Sequence, residues 1–504
     1  MNPISLWNAI SKRDVDYPAL ERDIEVDVAI IGGGITGITA ANQLIKAGKK
    51  VAVIEAYTVG SGTTGNSTGN LYVAVGPSYQ KIVEKFDFST AKIIAHSRQF
   101  AIDIIEKNIQ EYGISCQFFR RPWYAYTSVD NDSLLEKEIQ LYKEMGFSID
   151  YISELPLSIK VKKAAVMVDQ ARFNPMQYVI SMASMLSSKG CLIFENTRVV
   201  NMDEKEFCTL QTDHGKVVAK KVFIATHTPI GMNTTQFFIA PYRSYVVSAT
   251  LKDNFYPEGH FWEFGGKSPI LCTHPMSSNE PELLMASGSH HKTGQGSHMS
   301  EHFEKNENFL RRHFKVSEIT YKWSAQHYQS SDSIPYIGMA SKTSKHTYMA
   351  SGFWADGLTY GTLAGILVSD LILEKNNSLD IPYKPNRRKT MASAPSFIKE
   401  NFNVFIQYLK DYPIFSSEKF SNIKIGEGKV VEIDREKCAV SRDAQNNLHI
   451  VSAICTHMKC VVNWNDAEKT WDCPCHGSRF TCSGKVIEGP AVLDLETKNR
   501  QDLL

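Results

Sequence analysis

One stretch, Cys455 to Phe480, reads CTHMKCVVNWNDAEKTWDCPCHGSRF and limits what this chain can be more than any other segment. It holds two boxes, Cys455-Thr456-His457 and Cys473-Pro474-Cys475-His476. Read as C-x-H and C-x-x-H, with Cys475 set aside, they offer two thiolates and two imidazoles, one of each kind from each box. A [2Fe–2S] centre suits such a set. Two thiolates hold one iron and two imidazoles the other, which raises the potential above that of an all-cysteine cluster. Zinc is the competing metal, since Cys₂His₂ is also a common structural zinc set. An ordinary finger, however, keeps both cysteines in one box and both histidines in the other. The mixed boxes favour the cluster.

Two further thiols, Cys460 and Cys475, sit beside the boxes. With them the stretch closely resembles the Rieske proteins of the cytochrome bc-type complexes, over residues 421–504. The resemblance implies that Cys455, His457, Cys473 and His476 are the ligands and that Cys460 and Cys475 form a disulfide bracing the cluster loops. It also implies that the Ser478 hydroxyl bonds a cluster sulfur. Phe480 departs from the pattern, because many high-potential members carry a tyrosine there. Without that hydroxyl the potential is expected to be lower.

The rest of the chain sets broad bounds. Its 504 residues suit two or three domains. A hydrophobic share of 43% and a charged share of 22% are those of an ordinary globular protein. A formal net charge of +1 gives no reason to expect a nucleic acid or an anionic membrane as partner. The N-terminal stretch is charged and reads as no secretory signal. The most apolar late helix, Leu363 to Leu373, is too short for a span and carries Asp370. The expected location is the cytoplasm. A disulfide there would be unusual, and the folded cluster loops would have to shield it. The other cysteines, Cys116, Cys191, Cys208, Cys272 and Cys438 among them, read as thiols without a role.

Near the start, Ile30-Ile31-Gly32-Gly33-Gly34-Ile35-Thr36-Gly37 follows a strand-like run and opens a periodic helix. A buried-strand run, Lys50 to Ile54, comes next and ends in Glu55. This is the full strand, turn, helix, strand and acid order of a dinucleotide site. Gly32 permits the turn, Gly34 lets backbone approach a pyrophosphate, and Gly37 allows close helix packing. Glu55 is placed for the ribose hydroxyls.

The glycine- and hydroxyl-rich loop Gly60 to Asn70 follows, with Thr63, Thr64 and Asn66 beside the bound dinucleotide. Here the sequence resembles the FAD-dependent oxidoreductases of the D-amino-acid-oxidase and glycine-oxidase superfamily. Later segments agree: Trp323 to His327 with Asp332 to Gly338, and Gly352 to Thr359 opening a helix. The resemblance spans residues 20–378. It implies a Rossmann-like α/β FAD domain interleaved with an antiparallel substrate sheet. Val199 and Val200 would pass the adenine end, and Gly352, Gly357, Leu358 and Thr359 would face the flavin. The loop offers Asn66 where covalent relatives have a histidine, so non-covalent FAD is expected.

Amino-acid-oxidising relatives bind the substrate carboxylate with an arginine that falls at His327 here. An imidazole is a poorer, pH-dependent substitute. Arg243 and Arg172 are replacement candidates, although a structural strand arginine is the plainer reading of the first. His290, His291, His298 and His302 read as solvated loop residues near the pocket. The expected organisation is a flavin domain over 1–385, a linker with a helix over 386–420, and a small all-β cluster domain over 421–504. FAD takes two electrons and one [2Fe–2S] cluster carries one. The expectation is therefore oxidation of a small amine-like substrate at a C–N bond, with electrons leaving singly to an external acceptor. The alternatives are reverse flow from an external donor, or an electron-transfer or redox-sensing protein without turnover.

Overall fold

The computed structural model describes residues 4–130, 132–275, 282–385, 387, 403–404 and 423–498. The strand Ile24–Ile31 is apolar and buried through its second half, as a strand covered on both faces must be. It lies at the heart of an eight-stranded sheet, flanked in parallel by Val51–Ile54 and Lys216–Ile224. Leu192–Phe194 extends one side and Thr347–Ser351 the other, both parallel. The helix Ile35–Lys46 crosses between the first two strands and packs on the helix Gly357–Ile372.

A second sheet of nine strands is largely antiparallel. Its long members are Ile239–Leu251, paired with Val316–Ser330 on one side and Glu282–Lys292 on the other. The chain passes between the two sheets repeatedly, giving the interleaved α/β architecture expected. The C-terminal part is all β. Gly428–Ile433, Glu436–Arg442 and Leu448–Ser452 form one small sheet, and Asn463–Asn465, Thr470–Asp472, Arg479–Thr481 and Val486–Glu488 another. Trp471, Phe480, Val451 and Leu495 pack between them, fully buried.

Two local readings change. Lys216 to Ala225, which from sequence reads as two strands around a short turn, holds the single strand Lys216–Ile224. Lys220 is an exposed residue of this continuous strand and pairs with Asp27 at 2.8 Å. Of the histidines in the histidine-rich segment, only His298 lies in an exposed loop. His290 and His291 sit on the strand Glu282–Lys292 and His302 on the helix Ser300–His313. The linker helix expected at Asn401 to Asp411 falls outside the described residues except for Asn403 and Val404. No described helix is long and apolar enough to cross a membrane.

Candidate functional site

A cavity of about 280 Å³ lies between the two large sheets. Its floor is the turn after the strand Ile24–Ile31. Gly32 has φ +109°, a region open to glycine. A Cβ on Gly37 would sit 2.0 Å from the Gly32 carbonyl oxygen, so the helix can press onto the turn only with glycine there. The Ile35 amide donates to Thr64 Oγ1 (3.1 Å) and the Gly33 amide to Glu55 Oε2 (2.7 Å). The start of the helix Gly357–Ile372 reaches the same cavity, with no side-chain cap from Asp356. Two helix N-termini, each a concentration of amide donors and positive potential, thus converge on one space.

Of the expected dinucleotide residues, Gly32, Gly34, Glu55, Thr63, Thr64, Asn66, Gly357, Leu358 and Thr359 line this cavity. Gly37 stands behind it in the helix–turn contact. Of Val199 and Val200, both expected at the adenine end, only Val199 lines the wall. Successive residues of the strand Val199–Glu204 point to opposite faces, and Val199 has the cavity side. Gly352 is not among the lining residues either. It is packed against Ser330, while Phe353 to Thr359 carry the wall.

On the sheet side, His327 lines the cavity and is buried, with its Nδ1 lacking a hydrogen-bond partner. Burial, reinforced by His290, His227, Arg243 on the far face of the sheet, and His291, holds the imidazole well below its ordinary pKa and therefore neutral. Its ring centroid is 5.1 Å from that of His290. The two arginine candidates do not reach this space. Arg243 lies between Tyr242 and Ser244 on the strand Ile239–Leu251. Ser244 and Val246 face the cavity, so Arg243 is turned to the other side of the sheet. Arg172 is buried against Glu282 at 2.6 Å and is likewise absent from the lining.

The second site is built by the two cysteine–histidine boxes. The Cys455 and Cys473 thiols are in hydrogen-bonding contact. That contact lowers Cys455 to about 7 and raises Cys473 well above the ordinary thiol range. The His457 and His476 rings lie 5.1 Å apart. His476 Nδ1 is buried with no hydrogen-bond partner, while His457 gives its Nε2 to the Gly231 carbonyl at 3.1 Å. Paired sulfurs, paired rings and an orphaned imidazole nitrogen are what a metal cluster with mixed ligands requires. Cys460 and Cys475 are joined as a disulfide, with Cα atoms 6.5 Å apart. Ser478 is buried, its hydroxyl facing Cys455 and accepting from the Ala491 amide at 3.0 Å.

Residues 27–371 match the FAD dependent oxidoreductase family known as DAO, and residues 412–498 match the Rieske [2Fe-2S] domain. The chain is a DAO-family FAD-dependent oxidoreductase with a C-terminal Rieske domain. FAD and a [2Fe–2S] cluster are its cofactors. It is 34% identical over 486 residues, 95% of its own length and 94% of the relative's, to YhfW of Bacillus subtilis, named as a Rieske 2Fe-2S iron-sulfur protein. It is 24% identical over 235 residues to the gamma-glutamylputrescine oxidoreductase of Escherichia coli, covering 45% of this chain and 55% of that one. The fold is also that of the glycine oxidase from Geobacillus kaustophilus, with a TM-score of 0.61 and 18% identity over 72% of this chain and 99% of that one.

The Rieske domain of this oxidoreductase does not stand apart from the flavin cavity. Ile487, Glu488, Gly489, Ala491 and Val492 form part of the cavity wall. Tyr328, also on that wall, donates its hydroxyl to the carbonyls of His476 and Gly489, each at 3.3 Å. Gln326 Nε2 donates to the Gly477 carbonyl at 2.9 Å. Gly477 has φ +81°, and a Cβ there would lie 2.5 Å from Pro241, so the cluster loop meets the flavin domain at backbone range. Arg243 completes the contact. Its guanidinium pairs with Glu468 at 2.6 Å and Glu488 at 3.3 Å, and both carboxylates also pair with Arg479. None of these wall and contact residues was singled out as a link between the two cofactor sites from sequence, and no local motif marks them for it.

Proposed function

We propose that this protein oxidises a small amine-type substrate at a C–N bond on FAD and sends the electrons singly through the Rieske cluster to an external one-electron acceptor. The substrate loses two electrons and two protons to become an imine, which water hydrolyses. Bound FAD supplies a two-electron acceptor, and the cluster supplies a one-electron carrier. The observation that carries this reading is Tyr328: one side chain both lines the flavin cavity and hydrogen-bonds the backbone of cluster ligand His476. A dehydrogenase that must hand electrons to a cluster needs such a short connection. The name of the Escherichia coli relative agrees with an amine substrate.

The chain's own residues then have simple tasks. Gly32, Gly34, Thr64 and the helix beginning at Ile35 hold the pyrophosphate end, and Gly357 to Thr359 turn amides toward the flavin. Ile487 to Val492 close the cavity against water. Anaerobic addition of a panel of primary and secondary amines is expected to bleach the flavin and then bring up the reduced-cluster EPR signal. Bleaching that never reaches the cluster would refute the relay, and no bleaching by any amine would refute the oxidation. Substituting Tyr328→Phe keeps the ring and removes the hydroxyl contacts. It is expected to leave the rate of flavin bleaching unchanged and to slow cluster reduction roughly tenfold, a loss of ~1.4 kcal/mol in the barrier. Stopped-flow absorbance at the two cofactor bands separates the steps.

A further inference from the structure

This inference rests on the function just proposed and narrows its substrate. Facing the cavity from the antiparallel sheet are Ser244, Val246, Ser287, His290, Ala325 and His327. No lysine, arginine, aspartate or glutamate is among them. Around the whole cavity the described residues supply one guanidinium, Arg198, and three carboxylates, Glu55, Asp356 and Glu488.

Each of these charges is already engaged or lies away from His327. Arg198 sits over the Tyr57 ring at 4.9 Å, next to Val199 at the adenosine end. Glu55 accepts from the Gly33 and Tyr57 amides. Asp356 faces the buried Arg98 at 3.7 Å and takes the Gly76 amide at 3.2 Å. Glu488 is shared by Arg243 and Arg479. A carboxylate lodged beside His327 would therefore find no cation, and an ammonium no uncommitted anion. An unpaired ion in such a place is strongly disfavoured.

What the cavity wall does offer is a pair of imidazoles, His327 and His290, with ring centroids 5.1 Å apart and with the buried Nδ1 of His327 lacking a hydrogen-bond partner. The Gln329 amide donates to His327 Nε2 at 3.3 Å, which leaves the proton on Nδ1 as a donor suited to the lone pair of an uncharged amine, while the neutral His290 imidazole brings one donor and one acceptor of its own. We propose that the substrate is an amine with no carboxylate on the reacting carbon, bound as its free base, with His327 and His290 reading the nitrogen. This sets the protein apart from enzymes that anchor an amino acid by its carboxylate.

The test uses the FAD-loaded full-length protein and two probes of one size, benzoate and benzylamine, at alkaline pH. Binding is read anaerobically from the immediate perturbation of the flavin's visible spectrum. Benzylamine is expected to bind at least roughly tenfold more tightly than benzoate. His327→Arg is expected to reverse that order, by giving the carboxylate its missing partner. His327→Gln, which adds no charge, is expected to preserve it. Tighter binding of benzoate by the unaltered protein, or by the glutamine variant, overturns the inference. If benzoate wins while amines still bleach the flavin, only this inference falls. Silence from both probes and from the amine panel removes the proposed function along with it.

Discussion

Replacing Arg243 with methionine is expected to release the Rieske domain from the flavin domain and to abolish cluster reduction by substrate, while flavin bleaching persists. Arg243 is about 1% exposed and holds two carboxylates of the other domain. Removing it leaves Glu468, Glu488 and Asp472 to share Arg479 alone. Breaking a buried pair by deleting one partner costs about 3–5 kcal/mol, enough to lower docking by two or more decades at ~1.4 kcal/mol each. A lysine at this position restores the charge without the fork and is expected to recover docking only in part.

Acid offers a second reading of the same contact. Burial alone would raise the Glu468 carboxyl, but Arg243 and Arg479 outweigh it and hold the group at about 2, below its ordinary 4.5. A depressed carboxyl contributes stability that is complete above its unfolded value and lost as pH falls through the folded one. Docking in the native protein is thus expected to survive from neutral pH to below pH 4. In Arg243→Met the domains are expected to be apart already at neutral pH, so cleavage between them should vary little as the pH falls. Limited proteolysis between the domains, followed across pH, measures both. Equal protease resistance in the two proteins would refute this role for Arg243.

The second large effect is expected at the dinucleotide turn. Any Cβ at position 37 meets the Gly32 carbonyl oxygen at 2.0 Å and Ile30 Cγ2 at 3.1 Å. The first contact is with backbone, which cannot swing aside. Gly37→Val is therefore expected to yield protein with almost no FAD but with its Rieske absorption intact, since the cluster loops fold around their own core. Flavin released by denaturation and quantified against iron gives the result. A full complement of FAD in this variant would show that the helix does not need to press on the turn.

How much of this was legible beforehand follows from how local each signal is. The Cys455–His457 and Cys473–His476 boxes and the Gly32–Gly37 turn are written in contiguous residues, because ligand bites and tight turns are short-range geometry. The strand passing Val199 was visible, but its parity was not, since nothing in the run fixes which side of the pleat faces inward. Glycine and serine around His290 masked a strand whose apolar half, Leu283 to Ala286, lies just upstream. Arg243 was readable as a strand arginine. Its partners were not, because Glu468 and Glu488 lie 225 and 245 positions away, and pairings of that span leave no periodic trace.

The wall formed by Ile487 to Val492 has a kinetic consequence for the flavin. Because that strip covers part of the cavity, separation of the two domains is expected to shorten the cofactor's residence time. The rise of free-flavin fluorescence after dilution would then be a clock for domain separation, ticking faster in every variant that weakens the seam.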